Sequence, residues 1–333
     1  MFAGARDRRP VRASEFDYTE TMSREQSMQW WRDAKRDVRR RVAMHLIGDR
    51  DYVSRLYGLK FGKRPDLDHP TGFNEKILSK ILNDRRAYLT LFADKLRVRD
   101  YVRRVAPALH LPRLYGWSDR AEGLPFDELP DAFVLKANHG SGWNLLVADK
   151  TSVGRADLAK LARKWLRSDF TIVGREWAYR NVRRAVYAEE LLRADGGGLP
   201  PDYKLFVFGG KVRIVQVDSD RFTRHMQVLY DEHWNRIEGT VAGLQGPPLP
   251  RPVSLPVMVD AAEKLSAGVD FVRVDLYEIG GDAYFGELTS SPNKGMSPFR
   301  PASLDAQLGR LLDLDDTRRD VPLAYEPESF SGR

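Results

Sequence analysis

The spacing of apolar residues divides the chain into a helical first third and a strand-rich remainder. Residues 23–47 carry apolar positions at helical intervals and predict an amphipathic helix, and a turn-rich patch, KRPDLDHPTG (63–72), ends this segment. Helical spacing resumes over residues 73–106, where we predict two or three helices. Prolines at positions 107, 112, 125 and 130 then punctuate a connecting region.

From residue 131 the pattern changes to short apolar runs typical of strands. AFVLK and NLLVA flank a glycine-containing loop, a helical stretch (RADLAKLARKWLRS) comes next, and RAVYAEELL (184–192) predicts another strand. Residues 202–220 predict a hairpin that turns at Gly209-Gly210, and residues 269–291 predict a second hairpin that turns at Gly280-Gly281-Asp282. HMQVLYDEHW predicts a further strand, and a helix is expected over residues 256–267. The pattern therefore indicates an α+β chain with antiparallel sheets behind a helical N-terminal region.

Composition narrows the class of protein. The 333 residues are 42% hydrophobic and 30% charged, which is ordinary for a soluble globular chain. No apolar run approaches the roughly 20 residues of a membrane span, and the first residues, MFAGARDRRPVRAS, lack the apolar core of a signal peptide. The chain has no cysteine, which excludes a disulfide framework and a zinc–thiolate site. We therefore expect a cytoplasmic protein.

The net charge is +7, and a basic cluster, KRDVRRR (35–41), lies on the predicted N-terminal helix. Acidic residues interleave with the basic ones in this segment, so we favour a solvated helix face and do not expect nucleic-acid binding. Contact of this helix with the inner membrane surface or with a partner protein is the alternative. A mild excess of positive charge also suits anionic substrates such as nucleotides.

The loop in FVLKANHGSGWNLLV (133–147) is the first candidate site. Lys136 ends an apolar run, and His139, Gly140, Ser141 and Gly142 follow it. Backbone N–H groups in a glycine-rich turn can converge on phosphate oxygens because no Cβ blocks their approach, and a lysine adds a positive charge. The loop is not a Walker A sequence, since its lysine precedes the glycines and a strand comes after them. It predicts a hairpin flap over a nucleotide, with a plain turn as the alternative.

The second hairpin carries the other candidate site. Side chains alternate between faces along a strand, so Arg273 and Asp275 share one face, as do Glu287 and Thr289. The turn makes the two strands neighbours and can bring Asp275 and Glu287 together. Two carboxylates on one face repel each other unless a cation lies between them, and Mg²⁺ held by carboxylates and substrate phosphates is the usual solution. Salt bridges to Arg273 on a solvated face are the alternative.

Three further segments carry charged residues with more than one interpretation. Lys204 shares a strand face with Phe206 and Phe208, where a phosphate or a carboxylate would be its partner. YAEELL (187–192) can present backbone groups to an adenine edge. In DSDRFTRH (218–225), Asp218 and Asp220 form a DxD of the kind that sugar-nucleotide transferases use. Arg221 and Arg224 suit the binding of a substrate acid.

Seven motifs in a fixed order resemble the ATP-grasp superfamily. They are ADKLRVRDYV, LPRLYG, FVLKANHGSG, EELL, DYKLFVF, FVRVDLY and GELTSSPNKG, and the resemblance covers about residues 73–312. More narrowly, the sequence resembles the TupA-like branch, which is associated with teichuronopeptide and other cell-surface polysaccharide biosynthesis. The resemblance implies two α+β subdomains whose antiparallel sheets clasp ATP.

On this basis we divide the chain into six segments. They are a disordered start (1–22), an N-terminal helical segment (23–72), a helical region before the ATP-binding part (73–130), a first subdomain with the glycine flap (131–192), a second subdomain with the metal site (193–312) and a C-terminal tail (313–333).

The resemblance also implies roles for individual residues. The ATP-binding positions are Lys95, Lys136, Lys204, the flap residues His139, Gly140, Ser141 and Gly142, and the adenine-hinge residues Glu189, Glu190, Leu191 and Leu192. Asp275 and Glu287 match magnesium ligands, and Arg273, assisted by Lys204, matches the group that stabilises the transferred phosphoryl. Many relatives carry Glu-x-Asn where this chain has Glu287-Leu288-Thr289, so the third ligand is Thr289 or Asn293.

The implied activity is an ATP-dependent carboxylate–amine ligase that uses Mg²⁺ and forms an acyl phosphate. Its substrates would be a small-molecule or glycan carboxylate and an amine. Three alternatives stay open: an ATP-grasp phosphotransferase that phosphorylates a sugar, a DxD metal-dependent glycosyltransferase, and a nucleotide-binding scaffold.

Overall fold

Helices come first along the chain, as the apolar spacing predicts. The computed structural model describes residues 47–219 and 225–314. The predictions made for residues 1–46 and 315–333 lie outside these ranges. The first four helices are α1 (Asp49–Phe61), α2 (Phe73–Asn83), α3 (Ala87–Ala93) and α4 (Val98–Val105). The last three cover the stretch where two or three helices were predicted.

A four-stranded antiparallel sheet comes next. Its strands are β1 (Leu114–Ser118), β2 (Phe133–Ala137), β3 (Asn144–Val147) and β4 (Val186–Glu190), in the order β1-β4-β2-β3. Helix α5 (Arg155–Arg167) packs on it through an apolar cluster that includes Phe133, Leu135 and Trp165. The short helix α6 (Thr171–Gly174) precedes β4. Strand β1 lies where the sequence indicated only a connecting region, because LYGWS shows no alternation of buried and exposed residues.

The second sheet is larger. Its strands are β5 (Asp202–Phe208), β6 (Lys211–Ser219), β7 (Met226–Tyr230), β8 (Arg236–Ile237), β9 (Leu244–Gln245), β10 (Phe271–Ile279) and β11 (Asp282–Thr289). The order is β11-β10-β5-β6-β7-β8, with β9 parallel to β7. Helices α7 (Leu255–Leu265) and α8 (Ser303–Leu311) complete the described chain.

Both predicted hairpins are present at the predicted turns. Gly209 and Gly210 join β5 to β6 with φ of 54° and 77°, and Gly280 and Gly281 join β10 to β11 with φ of 59° and 86°. Two successive residues with positive φ match the twist of the flanking strands and favour glycine.

The two faces of the larger sheet have different environments. One face is apolar along its length and packs against α3, α4 and α7. The other face is apolar at one end only, where Phe206, Phe208 and Phe271 pack against Phe73 of α2. Each such buried aromatic side chain contributes about 1.5–3 kcal/mol to stability. The remaining half of this second face is charged. Within the described ranges, no helix has the length and apolarity needed to cross a bilayer.

Candidate active site

The charged half of the larger sheet brings together residues from three adjacent strands. Lys204 on β5 pairs with Asp275 on β10, and Asp275 pairs in turn with Glu287 on β11. Two residues further along the ribbon formed by β10 and β11, Arg273 lies opposite Thr289. Because side chains repeat every second residue, all five lie on one face. The two acids that the sequence predicted to be neighbours are therefore direct cross-strand partners.

Arg273 holds both acids. Its Nε and Nη2 donate to the two carboxylate oxygens of Asp275, each at 2.6 Å, in a bidentate pair. Nη2 also reaches Glu287 Oε1 at 3.5 Å and Thr289 Oγ1 at 3.3 Å. Thr289 Oγ1 donates to Glu287 Oε1 at 3.1 Å. A single guanidinium therefore spans the ribbon and offsets the repulsion between the carboxylates.

The surroundings shift the pKa values of the two acids in opposite directions. Burial raises the pKa of Asp275, although Arg273 and Lys204 oppose the rise. Burial also acts to raise the pKa of Glu287, but the charges of Lys95, Arg273 and Lys204 outweigh it and lower the value to about 2. Glu287 is the more accessible of the two, with 31% of its side chain exposed against 5% for Asp275. It is ionised at neutral pH and able to bind a cation.

The donor set fits magnesium held jointly by protein and substrate. Asp275, Glu287 and Thr289 offer two carboxylates and a hydroxyl at adjoining positions, and Mg²⁺ is commonly bound by one or two carboxylates plus phosphate oxygens. Among residues 47–219 and 225–314, no three or more His, Asp or Glu side chains converge as an all-protein metal cage. Asn293, the other candidate for third ligand, donates its side-chain amide to Ser297 Oγ at 3.0 Å.

Lys95 joins the ribbon to the glycine loop. Its ammonium group donates to the carbonyl oxygen of Gly140 at 2.8 Å and lies 3.4 Å from Glu287 Oε2. The lysine comes from the turn between α3 and α4, so three separate segments meet at its Nζ atom. The loop predicted to cover phosphates and the acids predicted to bind magnesium therefore lie on either side of one cation.

Lys136 and Glu189 form a second charged group on the smaller sheet. Lys136 Nζ lies 2.5 Å from Glu189 Oε1, and Arg99 Nη1 lies 3.1 Å from Glu189 Oε2. Glu189 is buried, and its two oxygens each have a cationic partner. The sequence placed Glu189 at the adenine hinge, and the structure adds that it neutralises Lys136.

Lys204 is surrounded by acids. Its ammonium group bonds to Asp202 and lies 3.4 Å from Asp218 Oδ2 and 3.5 Å from Asp275 Oδ2. Burial acts to lower the pKa of Lys204, but the charges of Asp275 and Asp202 outweigh it and raise the value. Asp218 also accepts a hydrogen bond from Gln216 at 2.8 Å. The carboxylate of Asp218, the first residue of the DxD, is thus engaged within the sheet.

The glycine loop joins β2 to β3. Gly142 has φ of 73°, and a Cβ on Gly140 would lie 2.6 Å from the Trp143 ring, so a glycine is needed at both positions. Ser141 is exposed. His139 is 2% exposed, and its ring nitrogens lie 3.0 Å from the Trp165 carbonyl oxygen and 3.1 Å from Asn138 Oδ1. The imidazole anchors the loop from beneath, while the loop backbone remains the part able to meet phosphate.

A cavity of about 110 Å³ lies between the two sheets. Its lining includes Lys136, Glu189, Glu190, Leu191 and Leu192 from the first sheet and its continuation, and Tyr277, Phe285 and Gly286 from the hairpin. Most of its walls are apolar, with a few polar groups among them. All four predicted hinge residues line this cavity.

Two predicted substrate-binding residues cannot be placed. Arg221 and Arg224 lie outside the described residues, as does Asp220, the second acid of the DxD.

Other residues near the site were missed by the sequence predictions. Glu176, Tyr179 and Ser291 surround the outer end of the ribbon, and Ser291 Oγ donates to Glu176 Oε1 at 2.5 Å. Glu176 and Tyr179 lie in TIVGREWAYR, a stretch with no motif or strand alternation to mark it. The SSPN segment directly after Thr289 was the only sequence signal that pointed to this region.

Comparison with known proteins gives a family. A model of the TupA-like ATP-grasp family matches residues 75–313. No curated protein sequence matches the chain.

Several solved ligases are similar in part. A D-alanine–D-alanine ligase from Bacillus anthracis is 19% identical with a TM-score of 0.41, covering 68% of this chain and 66% of that one. An L-amino acid ligase from Bacillus licheniformis is 14% identical with a TM-score of 0.41, covering 62% and 44%. The ATP-grasp ligase PsnB, in complex with a minimal precursor, Mg and ADP, is 14% identical with a TM-score of 0.37, covering 68% and 59%. The chain thus spans less than two-thirds of the length of each, and likenesses this distant carry no argument about substrates.

Proposed function

Because the chain belongs to the TupA-like ATP-grasp family, we propose that it is an ATP-dependent carboxylate–amine ligase that works through an acyl phosphate. One observation carries the proposal: Lys95 contacts both the loop carbonyl of Gly140 and the ribbon acid Glu287. A triphosphate in contact with this lysine would lie between a glycine-rich backbone on one side and paired carboxylates on the other. Family membership supplies the expectation of ATP, and this geometry supports the proposed position of the nucleotide.

The charges of the site suit phosphoryl transfer to a carboxylate. Catalysis of this step depends mainly on positioning and on stabilising charge at the transferred group. Arg273, Lys204 and Lys95 are the cations next to the acid pair, and Lys136 is the cation nearest the cavity. Asp275, Glu287 and Thr289 would hold Mg²⁺, which when bound supplies positive charge to the phosphates.

The glycine loop would limit the access of water. An acyl phosphate hydrolyses readily, so the site must exclude solvent until the amine arrives. Trp143 packs edge-on against Phe170, with ring centroids 5.3 Å apart, and this contact fixes the end of the loop. An amine that attacks the protected acyl carbon forms the amide and releases phosphate.

We extend the proposal to the acid substrate and to the biological role. A uronic-acid or amino-acid carboxyl suits the expected role in cell-surface polysaccharide or peptide-conjugate biosynthesis, in the cytoplasm. Arg221 and Arg224 are our candidates for binding that carboxylate, because they follow the strand that carries Asp218. Two arginines at this position would provide bidentate contacts to a carboxylate.

The decisive experiment follows ADP and phosphate release with Mg·ATP and a panel of uronic acids, amino acids and short peptides. A ligase releases both products only when acid and amine are present together. A stable phosphorylated product without an amine would instead identify a phosphotransferase. Binding of ATP with no turnover in any mixture would indicate a scaffold, and binding of a nucleotide sugar in place of ATP would indicate a glycosyltransferase.

A further inference from the structure

Glu176 is a buried acid with an oxygen that has no partner. The residue is 6% exposed, and its Oε1 accepts the hydrogen bond from Ser291 Oγ. Its Oε2 is buried and lacks a hydrogen-bond partner among the described residues. A buried polar atom left without a partner costs free energy. This cost applies whether the carboxyl is ionised or protonated, because Oε2 has neither a donor nor an acceptor beside it.

The other acids of the site do not share this property. Asp275, Glu287 and Asp218 each have a lysine or arginine within salt-bridge distance. Within the described ranges, no hydrogen-bond donor reaches Glu176 Oε2. Burial raises the pKa of Glu176, with the Ser291 hydrogen bond and the charge of Lys294 opposing the rise. Lys294 thus acts on this acid through its charge but does not donate a hydrogen bond to Oε2.

The position of Glu176 links it to the acid pair. Ser291, its hydrogen-bond partner, is four residues beyond Glu287 on the same continuing segment. The next residue back, Ser290, also has a buried hydroxyl oxygen without a partner in the described chain. The charges of Lys95 and Glu287 are near enough to act on Glu176. Two unsatisfied polar groups thus lie just outside the proposed phosphoryl-transfer centre.

The backbone around Glu176 is strained. Three of the four non-glycine residues with positive φ among the described residues are Arg175, directly before Glu176, and Asn293 and Lys294 on the facing segment. Such conformations cost free energy and cluster at ligand sites, where the surrounding structure enforces them. The backbone of Gly174 lies close to both side chains. A Cβ at this position would lie 2.9 Å from Glu176 Oε2 and 2.6 Å from the Lys294 side chain.

From this geometry we propose that Glu176 binds the ammonium group of the amine substrate through Oε2, with Ser290 as a second polar contact. The inference rests on the proposed ligase function, since that function supplies the amine and places it next to the acyl phosphate. Ser291 holds the carboxylate in position through Oε1 and leaves Oε2 for the ligand. Glu176 is thus a substrate-binding residue that also sets the specificity for a primary amine.

A binding experiment tests the site without knowledge of the natural substrate. The melting temperature of the full chain is measured with methylammonium chloride and with tetramethylammonium chloride at equal ionic strength, in the presence of Mg²⁺ and a non-hydrolysable ATP analogue. Both cations carry one charge, but only methylammonium has N–H donors. We expect methylammonium to raise the melting temperature more than tetramethylammonium does in the wild-type protein.

Two variants should remove that difference. Glu176→Gln places an amide where the carboxylate was, and Gly174→Ala keeps the carboxylate but crowds Oε2. The exposed acid Glu122, which pairs with Arg163 at the surface, provides the control variant Glu122→Gln, and there the difference should persist. If wild type and both site variants respond equally to the two cations, the proposal is overturned.

A kinetic experiment separates this inference from the ligase proposal. Hydroxylamine, a small nucleophile that is neutral near pH 7, traps acyl phosphates as hydroxamates. For Glu176→Gln we expect KM for a cationic amine to rise about tenfold or more, as loss of a charge-assisted hydrogen bond implies, and KM for neutral hydroxylamine to rise much less. Absence of hydroxamate in the wild type with every carboxylate would reject the ligase, and the binding experiment would still decide the role of Glu176. An unchanged amine KM would reject that role alone.

Discussion

Asp275 and Glu287 show how the properties of one residue depend on its immediate neighbours. The same guanidinium contacts both acids, yet burial dominates at Asp275 while the surrounding cations dominate at Glu287. The two therefore differ in accessibility and in proton affinity, although they face each other across one strand pair. Glu287 is the more accessible ligand for an incoming cation, and Asp275 also holds Arg273 in place.

We predict that Asp275→Asn and Glu287→Gln each lower magnesium-dependent ATP turnover by about a hundredfold or more, since each removes a charge that acts in the transition state. Both replacements nearly preserve shape, so circular dichroism should show an intact fold. Asp260→Asn, which removes an exposed acid paired with Lys264, is the control and should keep full turnover. Wild-type turnover in either site variant would remove the metal assignment.

The buried imidazole of His139 leads to a prediction of how protein stability depends on pH. Burial, reinforced by the charges of Arg184 and Lys95, lowers its pKa from 6.5 to about 4, although the Trp165 carbonyl acts against the fall. Between these values the unfolded chain binds a proton that the folded chain does not. Above pH 6.5 the His139 ring is neutral in both states and does not lower the free energy of unfolding. As the pH falls from 6.5 towards 4, this group lowers the free energy of unfolding by up to about 3 kcal/mol.

The measurement is the free energy of unfolding from urea titrations at several pH values between 7 and about 4. We expect His139→Gln to be less stable than wild type at pH 7 but to lose less stability across this range. Parallel curves for the two proteins would show that His139 does not titrate in this way.

At the scale of elements, a β-bulge in the β10–β11 hairpin positions Asp275 and Glu287. The register shifts between Asp275 and Leu276, and Gly286 lies opposite the shift. A Cβ on Gly286 would lie 2.9 Å from the carbonyl oxygen of Asp275, which is backbone and cannot move aside cheaply. Bulges of this kind redirect the side chains that follow them, and here the next residue is Glu287.

We predict that Gly286→Ala displaces Glu287 from Asp275 and lowers ATP turnover more than it lowers stability. Overpacking at such a site typically costs about 1–3 kcal/mol, so the variant should still fold. Gly48→Ala is the matched control, because a Cβ there would have nothing within 4 Å and φ is −58°. Turnover in Gly286→Ala equal to that of the control would show that the bulge does not position Glu287.

At the scale of the whole molecule, a buried charge cluster ties the N-terminal helices to the larger sheet. Lys80 of α2 bonds to Asp270, directly before β10, and lies 3.0 Å from Asp84 Oδ2. Arg86 lies 2.6 Å from the same Asp84 oxygen and 3.1 Å from Asp270. The two acids have side chains only 1–2% exposed, so each depends on these cations for compensation.

We predict that Lys80→Met lowers the free energy of unfolding by about 3–5 kcal/mol, because it leaves buried acids without a full counter-charge. Lys264→Met provides the comparison, since Lys264 and Asp260 have the same spacing of four residues but are each 56% exposed. That change should cost less than about 1 kcal/mol. Equal losses in the two variants, measured by urea unfolding, would show that burial does not control the contribution of these pairs.

The sequence by itself determined the features that local periodicity encodes. The two-residue period placed Arg273, Asp275, Glu287 and Thr289 on one face, paired glycines located both hairpin turns, and the order of motifs identified the family. The shared face and the hairpin turns follow from backbone geometry over a few residues and needed no knowledge of distant contacts, whereas the family follows from a resemblance to known sequences.

Only the tertiary structure decided which distant groups meet. Lys95 reaches Gly140 and Glu287, Glu189 neutralises Lys136, and Glu176 is buried beside Ser291, each across long separations in the chain. Such pairings depend on how the sheets and connecting segments pack, because burial and opposing charge act between whichever groups the fold brings together. An isolated glutamate in an irregular segment therefore carries no sequence signal, although in the folded chain it lies next to the proposed reaction centre.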